Sequence, residues 1–67
     1  MNKDIIKGNW KQLKGEVQKK WSKFTHDDLK WLDGDREKLA GLIQECYGKS
    51  REQADKDIKD WEQSMAA

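Results

Sequence analysis

An apolar stripe over residues 6–24 constrains the fold more than any other feature of the sequence. Its six members follow one another at steps of four, three, four, four and three residues: Ile6, Trp10, Leu13, Val17, Trp21 and Phe24. At about 100° per residue these side chains share one narrow face of an α-helix. An isolated helix of this length is marginal in water, so other helices must cover the stripe.

Composition predicts that the rest of the chain is helical too. The 67 residues include no proline, 40% are charged and 34% are hydrophobic. No stretch alternates between apolar and polar residues as a half-buried strand would. A chain of this length forms one domain at most. We therefore expect an all-α fold in a single small domain spanning residues 1–67, with residues 1–7 as a frayed start.

Capping signals divide the chain into four helices. Thr25 and Ser50 each begin a capping-box pattern at a helix start. Gly34 and Gly48 stand where a left-handed residue ends a helix. The predicted helices run over residues 8–23, 26–32, 36–47 and 51–63.

The inner faces of these helices define the predicted core. It consists of Trp10, Leu13, Val17, Trp21, Leu29, Leu32, Leu39, Ile43, Ile58 and Trp61. Losing one large side chain from such a core costs roughly 3–5 kcal/mol. Small domains have little more stability than that, so we expect Trp10→Ala or Trp61→Ala to unfold the protein.

Charge is distributed unevenly along the chain. Residues 1–25 hold seven lysines against two acids, a net +5, and residues 26–67 hold seven basic residues against eleven acids, a net −4. Such asymmetry can mark a nucleic-acid-binding face. We prefer a solvated surface, or attraction between the two halves, because the lysines of the first helix are scattered around it. Nucleic-acid binding by this helix remains the alternative.

Few residues of the sequence could take part in catalysis or metal binding. The single cysteine, Cys46, excludes an internal disulfide, and the single histidine, His26, excludes a multi-histidine metal site. Helix capping explains His26 and its acidic neighbours, and Cys46 shares a face with core residues. No phosphate-binding loop or nucleophile motif is present. We expect a non-enzyme without cofactor or metal, a monomer, in the cytoplasm and not in a membrane.

Two features are not explained by the core. Gly8, Gly15 and Ser22 recur every seven residues opposite the apolar stripe, flanked by lysines, and Trp31 opposes the inner face of its helix. We interpret the small residues as tolerated surface positions and Trp31 as wedged under a neighbouring helix. The competing interpretation is a contact surface made of Gly8, Lys11, Gly15, Lys19, Ser22 and Trp31.

Three long segments together resemble a known family. They are GNWKQLKGEVQKKW from Gly8, LKWLDGDREKLAGLIQECYG from Leu29, and SREQADKDIKDW from Ser50. This pattern resembles the CsbD-like family of small bacterial general stress proteins, and the resemblance covers about residues 1–61. It implies four or so helices in two α-hairpins packed crosswise, described as SAM-domain-like.

The resemblance also carries expectations about function. The family is similar to the hydrophilins, small and very hydrophilic proteins linked to water deficit, and the mean hydropathy of −1.22 agrees with that. The family has no established catalytic residues, cofactor or ligand. It therefore implies a non-catalytic stress-response protein that acts through its surface, as a protectant or as an adaptor for an unidentified protein partner.

Overall fold

Helices account for most of the chain between residues 4 and 66, the part that the computed structural model describes, with side-chain surroundings given for residues 6–64. Five helices follow one another: α1 (Asp4–Gly8), α2 (Trp10–Lys20), α3 (His26–Leu32), α4 (Arg36–Tyr47) and α5 (Arg51–Ala66). Residues 4–66 contain no strand, so the prediction of an all-helical fold is confirmed. Helix α4 packs against α5, and α3 also packs against α4.

The described part of the chain is helical from its first residue, Asp4. We expected a frayed start over residues 1–7; residues 1–3 lie outside the described part, but residues 4–8 form α1. Ile6 in this helix is only 1% exposed. The turn after α3 lies against α1, since a Cβ added to Gly34 would come 2.8 Å from the Cα of Lys7. Burial of Ile6 therefore draws the start of the chain onto the core.

Asn9 divides the predicted first helix into α1 and α2. Its backbone leaves the helical region, with φ −119° and ψ 25°. Its carbonyl oxygen accepts hydrogen bonds from the backbone N–H groups of Gln12 and Leu13, at 3.0 and 2.9 Å. Asparagine favours helix starts over helix interiors, which is the local reason for a break here. Residues 4–66 consequently contain five helices, of which four have seven residues or more.

Helix α2 ends at Lys20, three residues before the predicted end. Trp21 leaves the helical conformation, and a turn follows in which the N–H of Phe24 donates to the carbonyl of Trp21 at 3.1 Å. Both rings are buried and stack at 6.0 Å, and Trp21 also meets Trp61 edge-on at 5.4 Å. The Nε2 group of Gln18 donates to the carbonyl of Phe24 at 2.7 Å, which closes the turn.

Local capping sets the remaining helix ends. The Oγ1 of Thr25 accepts from the N–H of Asp28, whose carboxylate accepts from the N–H of Thr25, so the predicted capping box at α3 is confirmed. Asp35 caps α4 by accepting from two backbone N–H groups. Gly48 ends α4 in the left-handed conformation, also as predicted. At α3 the left-handed cap is Asp33, with φ 45°, and Gly34 follows at φ 80°.

The buried core is broader than the predicted set. Eight of the ten predicted side chains are buried: Val17, Trp21, Leu29, Leu32, Leu39, Ile43, Ile58 and Trp61. Trp10 and Leu13 are only half-buried and pack at the edge of the core. Five further buried side chains were not in the predicted set: Ile6, Phe24, Ala40, Leu42 and Ala54.

None of the helices within residues 4–66 combines the length and the apolar character that crossing a bilayer requires.

Candidate functional site

Trp31 is the large hydrophobic side chain that the fold leaves in solvent, with 52% of its surface exposed among the side chains described. Helix α3 turns Leu29 and Leu32 into the core, so residue 31 must face away from it. The left-handed turn at Asp33 and Gly34 follows directly after this part of α3. The prediction that Trp31 is wedged under a neighbouring helix is therefore wrong.

Lys38 of α4 fixes the position of this tryptophan. Its ammonium lies 5.0 Å from the centre of the Trp31 ring and donates a hydrogen bond to the Trp31 carbonyl oxygen at 3.3 Å. A cation over an exposed aromatic ring contributes about 0.5–1 kcal/mol. Together the two contacts link the end of α3 to α4 and favour this position of the ring.

An open groove runs from Trp31 along α4. Its lining includes Gly41, Leu42, Glu45 and Gly48. A Cβ placed on Gly41 or Gly48 would meet no neighbouring atom within 4 Å, so both glycines border free space. Leu42 is mostly buried and contributes to the floor. The result is a surface depression with an aromatic wall, and its glycines leave the α4 backbone accessible.

The charges of this groove are not balanced. Lys49 lines it, but the ammonium of Lys49 pairs with Asp57 of α5. That contact is the main reason that the pKa of Asp57 lies below its usual value, with smaller contributions from Gln53 and Lys20 against the opposing effect of burial. Glu45 is exposed and forms no ion pair with any side chain in the described part of the chain.

The row of Gly8, Gly15 and Ser22, expected on one continuous first helix, is divided among three elements. Gly8 ends α1, Gly15 lies inside α2, and Ser22 lies in the turn after α2. A spacing of seven residues places side chains together only on an uninterrupted helix. The break at Asn9 and the early end of α2 remove that condition. Lys11 and Lys19 are exposed, so Gly15 keeps its lysine neighbours but not its small ones.

The lysines between residues 7 and 23 belong to none of the ion pairs of the described side chains. The ion pairs of the described side chains all lie between Arg36 and Glu62. Lys23 instead places its ammonium 5.0 Å from the ring centre of Tyr47. Lys20 is near enough to Asp57 to help lower the pKa of that carboxyl. Lys20 and Asp57 are thus one pair that shows the expected attraction between the basic and acidic halves of the chain.

Sequence reasoning missed the buried charge of Glu62. Glu62 lies in the last helix and is only 6% exposed. Its Oε1 lies 3.4 Å from a guanidinium nitrogen of Arg36, and its Oε2 is buried without a hydrogen-bond partner among the described residues. The spacing of residues in the sequence could have predicted this burial. Ala54, Ile58 and Glu62 follow one another at intervals of four and therefore share one face of α5.

Cys46 and His26 show no arrangement for catalysis. Cys46 is half-buried, and burial raises the pKa of its thiol, with Asp28 and Glu45 adding to the rise and Lys23 opposing it. A raised pKa disfavours the reactive thiolate. His26 is exposed in the first turn of α3. Within the residues that the structure describes, no three histidine, cysteine or carboxylate side chains gather in a way that could hold a metal ion.

Comparison with known proteins places this chain in a family. The model of the CsbD-like family matches residues 4–56. The chain belongs to the CsbD-like family. The chain is 52% identical over 62 residues to the UPF0337 protein YjbJ of Escherichia coli K12, covering 92% of this chain and 90% of that protein. The UPF0337 protein pc0632 of Protochlamydia amoebophila is 50% identical over 62 residues, covering 92% of this chain and 94% of that protein.

Family membership confirms the resemblance drawn from the three sequence segments. CsbD-like membership is consistent with a general stress-response protein, and it points to no catalytic family. The Trp31 groove lies within the matched residues, because its lining falls between residues 31 and 49.

Proposed function

We propose that this CsbD-like protein is a non-catalytic stress-response protein that acts as an adaptor, as a monomer in the cytoplasm, by binding another protein through the surface around Trp31. The single observation that carries the proposal is the exposure of Trp31, with its ring held in place by Lys38. Exposed tryptophan surface is unfavourable in water. Tryptophan is also enriched among the residues that dominate binding energy at protein interfaces.

A fixed ring suits this role better than a mobile one. Binding must repay the conformational entropy of every side chain that it immobilises, roughly 0.5–1.5 kcal/mol each. Lys38 already restrains Trp31 in the free protein through its ammonium and the Trp31 carbonyl. Less ordering remains for the partner to induce, which favours a specific contact.

The proposal can be tested by capture from osmotically stressed bacterial cells, using the wild-type protein, Trp31→Ala and Lys30→Ala. Lys30 is exposed in the same helix and supplies the control. An adaptor should retain a stoichiometric protein partner with wild type and Lys30→Ala and lose it with Trp31→Ala. A hydrophilin-like protectant predicts the opposite result: Trp31→Ala would protect a dehydration-sensitive enzyme as well as wild type, with no stable complex.

A second candidate function is weak nucleic-acid binding by the lysine-rich helix α2. It is supported by the lysines of residues 7–20, which are exposed and belong to none of the ion pairs. Fluorescence anisotropy with duplex DNA at low salt would test it, with Lys11→Gln and Lys14→Gln combined to weaken binding. Absence of binding below roughly 0.1 mM, the weak end of non-specific affinity, would remove this candidate.

A further inference from the structure

The groove beside Trp31 is long enough to bind a short helical segment. It extends along α4 from Gly41 to Gly48, which at 1.5 Å per residue is about 10 Å, or two helical turns. Trp31 forms one wall, and Leu42 contributes apolar floor. The free space above both glycines lets a second backbone approach α4 closely. An apolar side chain of the incoming segment would pack against Trp31 over Gly41.

The electrostatics of the groove select the charge of that segment. The ammonium of Lys49 is paired with Asp57, so the unbalanced charge in the lining is the carboxylate of Glu45. The groove also ends at the C-terminus of α4, where Gly48 is the cap and no basic residue occupies the last turn. A helix C-terminus carries a partial negative charge of about half an elementary charge. Both sources attract a cation to the same end of the groove.

We infer that this groove binds a basic amphipathic helix of a partner protein, which places an apolar side chain on Trp31 and a lysine or arginine beside Glu45. The inference rests on the proposed adaptor function and names the chemistry of its partner. Lys38 does not oppose it, because its ammonium is held at the Trp31 carbonyl and ring and does not line the groove.

Two labelled amphipathic peptides test the inference by fluorescence anisotropy. One consists of leucine, alanine and lysine, and the other has glutamate in place of each lysine. The lysine peptide should bind more tightly, and Trp31→Ala should weaken its binding about thirtyfold, as expected for a central tryptophan anchor. Glu45→Gln should lower the preference for the lysine peptide about fivefold, the upper range for an exposed charge pair.

A pair of glycine variants separates groove occupancy from stability. Gly15 and Gly41 are both exposed helical glycines with free space at the Cβ position. Gly15→Gln and Gly41→Gln should therefore both raise the melting temperature, because glutamine is the better helix former. Only Gly41→Gln puts a side chain into the groove, and it alone should weaken peptide binding, by about tenfold.

Three results would overturn the inference. One is equal binding of the two peptides, or binding of neither. Another is unchanged binding by Gly41→Gln. The third is a concentration-dependent dimer in sedimentation that Trp31→Ala abolishes, since a second copy would then be the occupant. If a cellular partner is still lost with Trp31→Ala while the lysine peptide fails to bind, the basic helix is refuted and the adaptor function stands.

Discussion

The guanidinium of Arg36 lies 3.4 Å from Oε1 of Glu62 and joins the first turn of α4 to the last part of α5. The Glu62 side chain is 3% exposed, and that of Arg36 is 29% exposed. A carboxylate so buried needs its counter-charge, because removing one partner leaves a charge without compensation. This contact joins two residues that are 26 positions apart in sequence.

Arg36→Ala should destabilise the protein by about 1–3 kcal/mol, the usual cost of leaving a buried polar group unsatisfied. Replacing Arg36 and Glu62 together by methionine should recover most of that loss, since apolar side chains of similar volume often substitute for a buried pair. Urea denaturation measures both. Arg51→Ala is the control, because Arg51 is exposed in its ion pairs, and it should leave the midpoint nearly unchanged. Equal losses for Arg36→Ala and Arg51→Ala would contradict the role of burial.

Trp61→Ala and Trp10→Ala should differ in their effects. Trp61 is 7% exposed and meets Trp21 edge-on, so its loss should cost roughly 3–5 kcal/mol and unfold much of the protein at room temperature. Trp10 is half-buried at the edge of the core, so Trp10→Ala should retain a cooperative thermal transition. Circular dichroism melting compares them. A folded Trp61→Ala beside an unfolded Trp10→Ala would show that the core has been placed wrongly.

Gly34→Ala and Gly15→Ala should shift stability in opposite directions. Gly34 has φ +80°, and its added Cβ would lie 2.8 Å from the Cα of Lys7, so alanine must strain the backbone and push α1 outward. The expected cost exceeds about 1 kcal/mol. Gly15 lies in a helix with free space around it, and alanine there should stabilise by up to about 1 kcal/mol. Chemical denaturation of the two variants measures both signs.

Cys46 should react slowly with iodoacetamide in the folded protein. Burial, with Asp28 and Glu45 adding to it, raises the pKa of its thiol. The pH at which labelling becomes fast should therefore be higher for folded than for urea-unfolded protein. Asp28→Asn should move that pH down and Lys23→Gln should move it up, because Lys23 lowers the pKa. Because folding raises the pKa of this thiol, the thiol stabilises the folded protein at pH values below its unfolded pKa, about 8.5. This contribution to the free energy of unfolding is lost as pH rises through the folded pKa. Identical labelling profiles for folded and unfolded protein would refute this.

The ion pair between Asp57 and Lys49 makes the stability of the fold depend on pH in the acidic range. The hydrogen bond from Lys49 is the main cause of the lowered pKa of Asp57. A carboxylate with a lowered pKa stabilises the fold above its unfolded value, about 3.9, and this contribution is lost as pH falls through the folded value. Lys49→Met should raise the pKa of Asp57, measured by NMR titration, and should reduce the stability difference between neutral and acidic pH. Lys59→Met, an exposed change on the helix that holds Asp57, is the control.

Helix boundaries set by local chemistry were predictable from the sequence. Thr25 caps α3 through groups three residues away, and Gly48 ends α4 in a conformation that glycine adopts without strain. The apolar stripe likewise identified side chains that are buried in the fold, with Val17 at its centre. Each of these outcomes depends on neighbours within about one helical turn.

Long-range contacts decided the features of the fold that the sequence did not predict. Periodicity placed Trp21 and Phe24 on a continuing helix, but in the fold their rings stack off the helix, where Trp21 also meets Trp61. The exposure of Trp31 depends on which face of α3 the other helices cover.

By itself the sequence determined the helical fold, the family and the caps, because hydrogen bonding and apolar periodicity act over a few residues. Only the tertiary structure decided that Glu62 is buried beside Arg36 and that Trp31 is left in solvent at the edge of a groove. Those results depend on which surfaces meet when the helices pack, and packing joins residues that no local pattern connects.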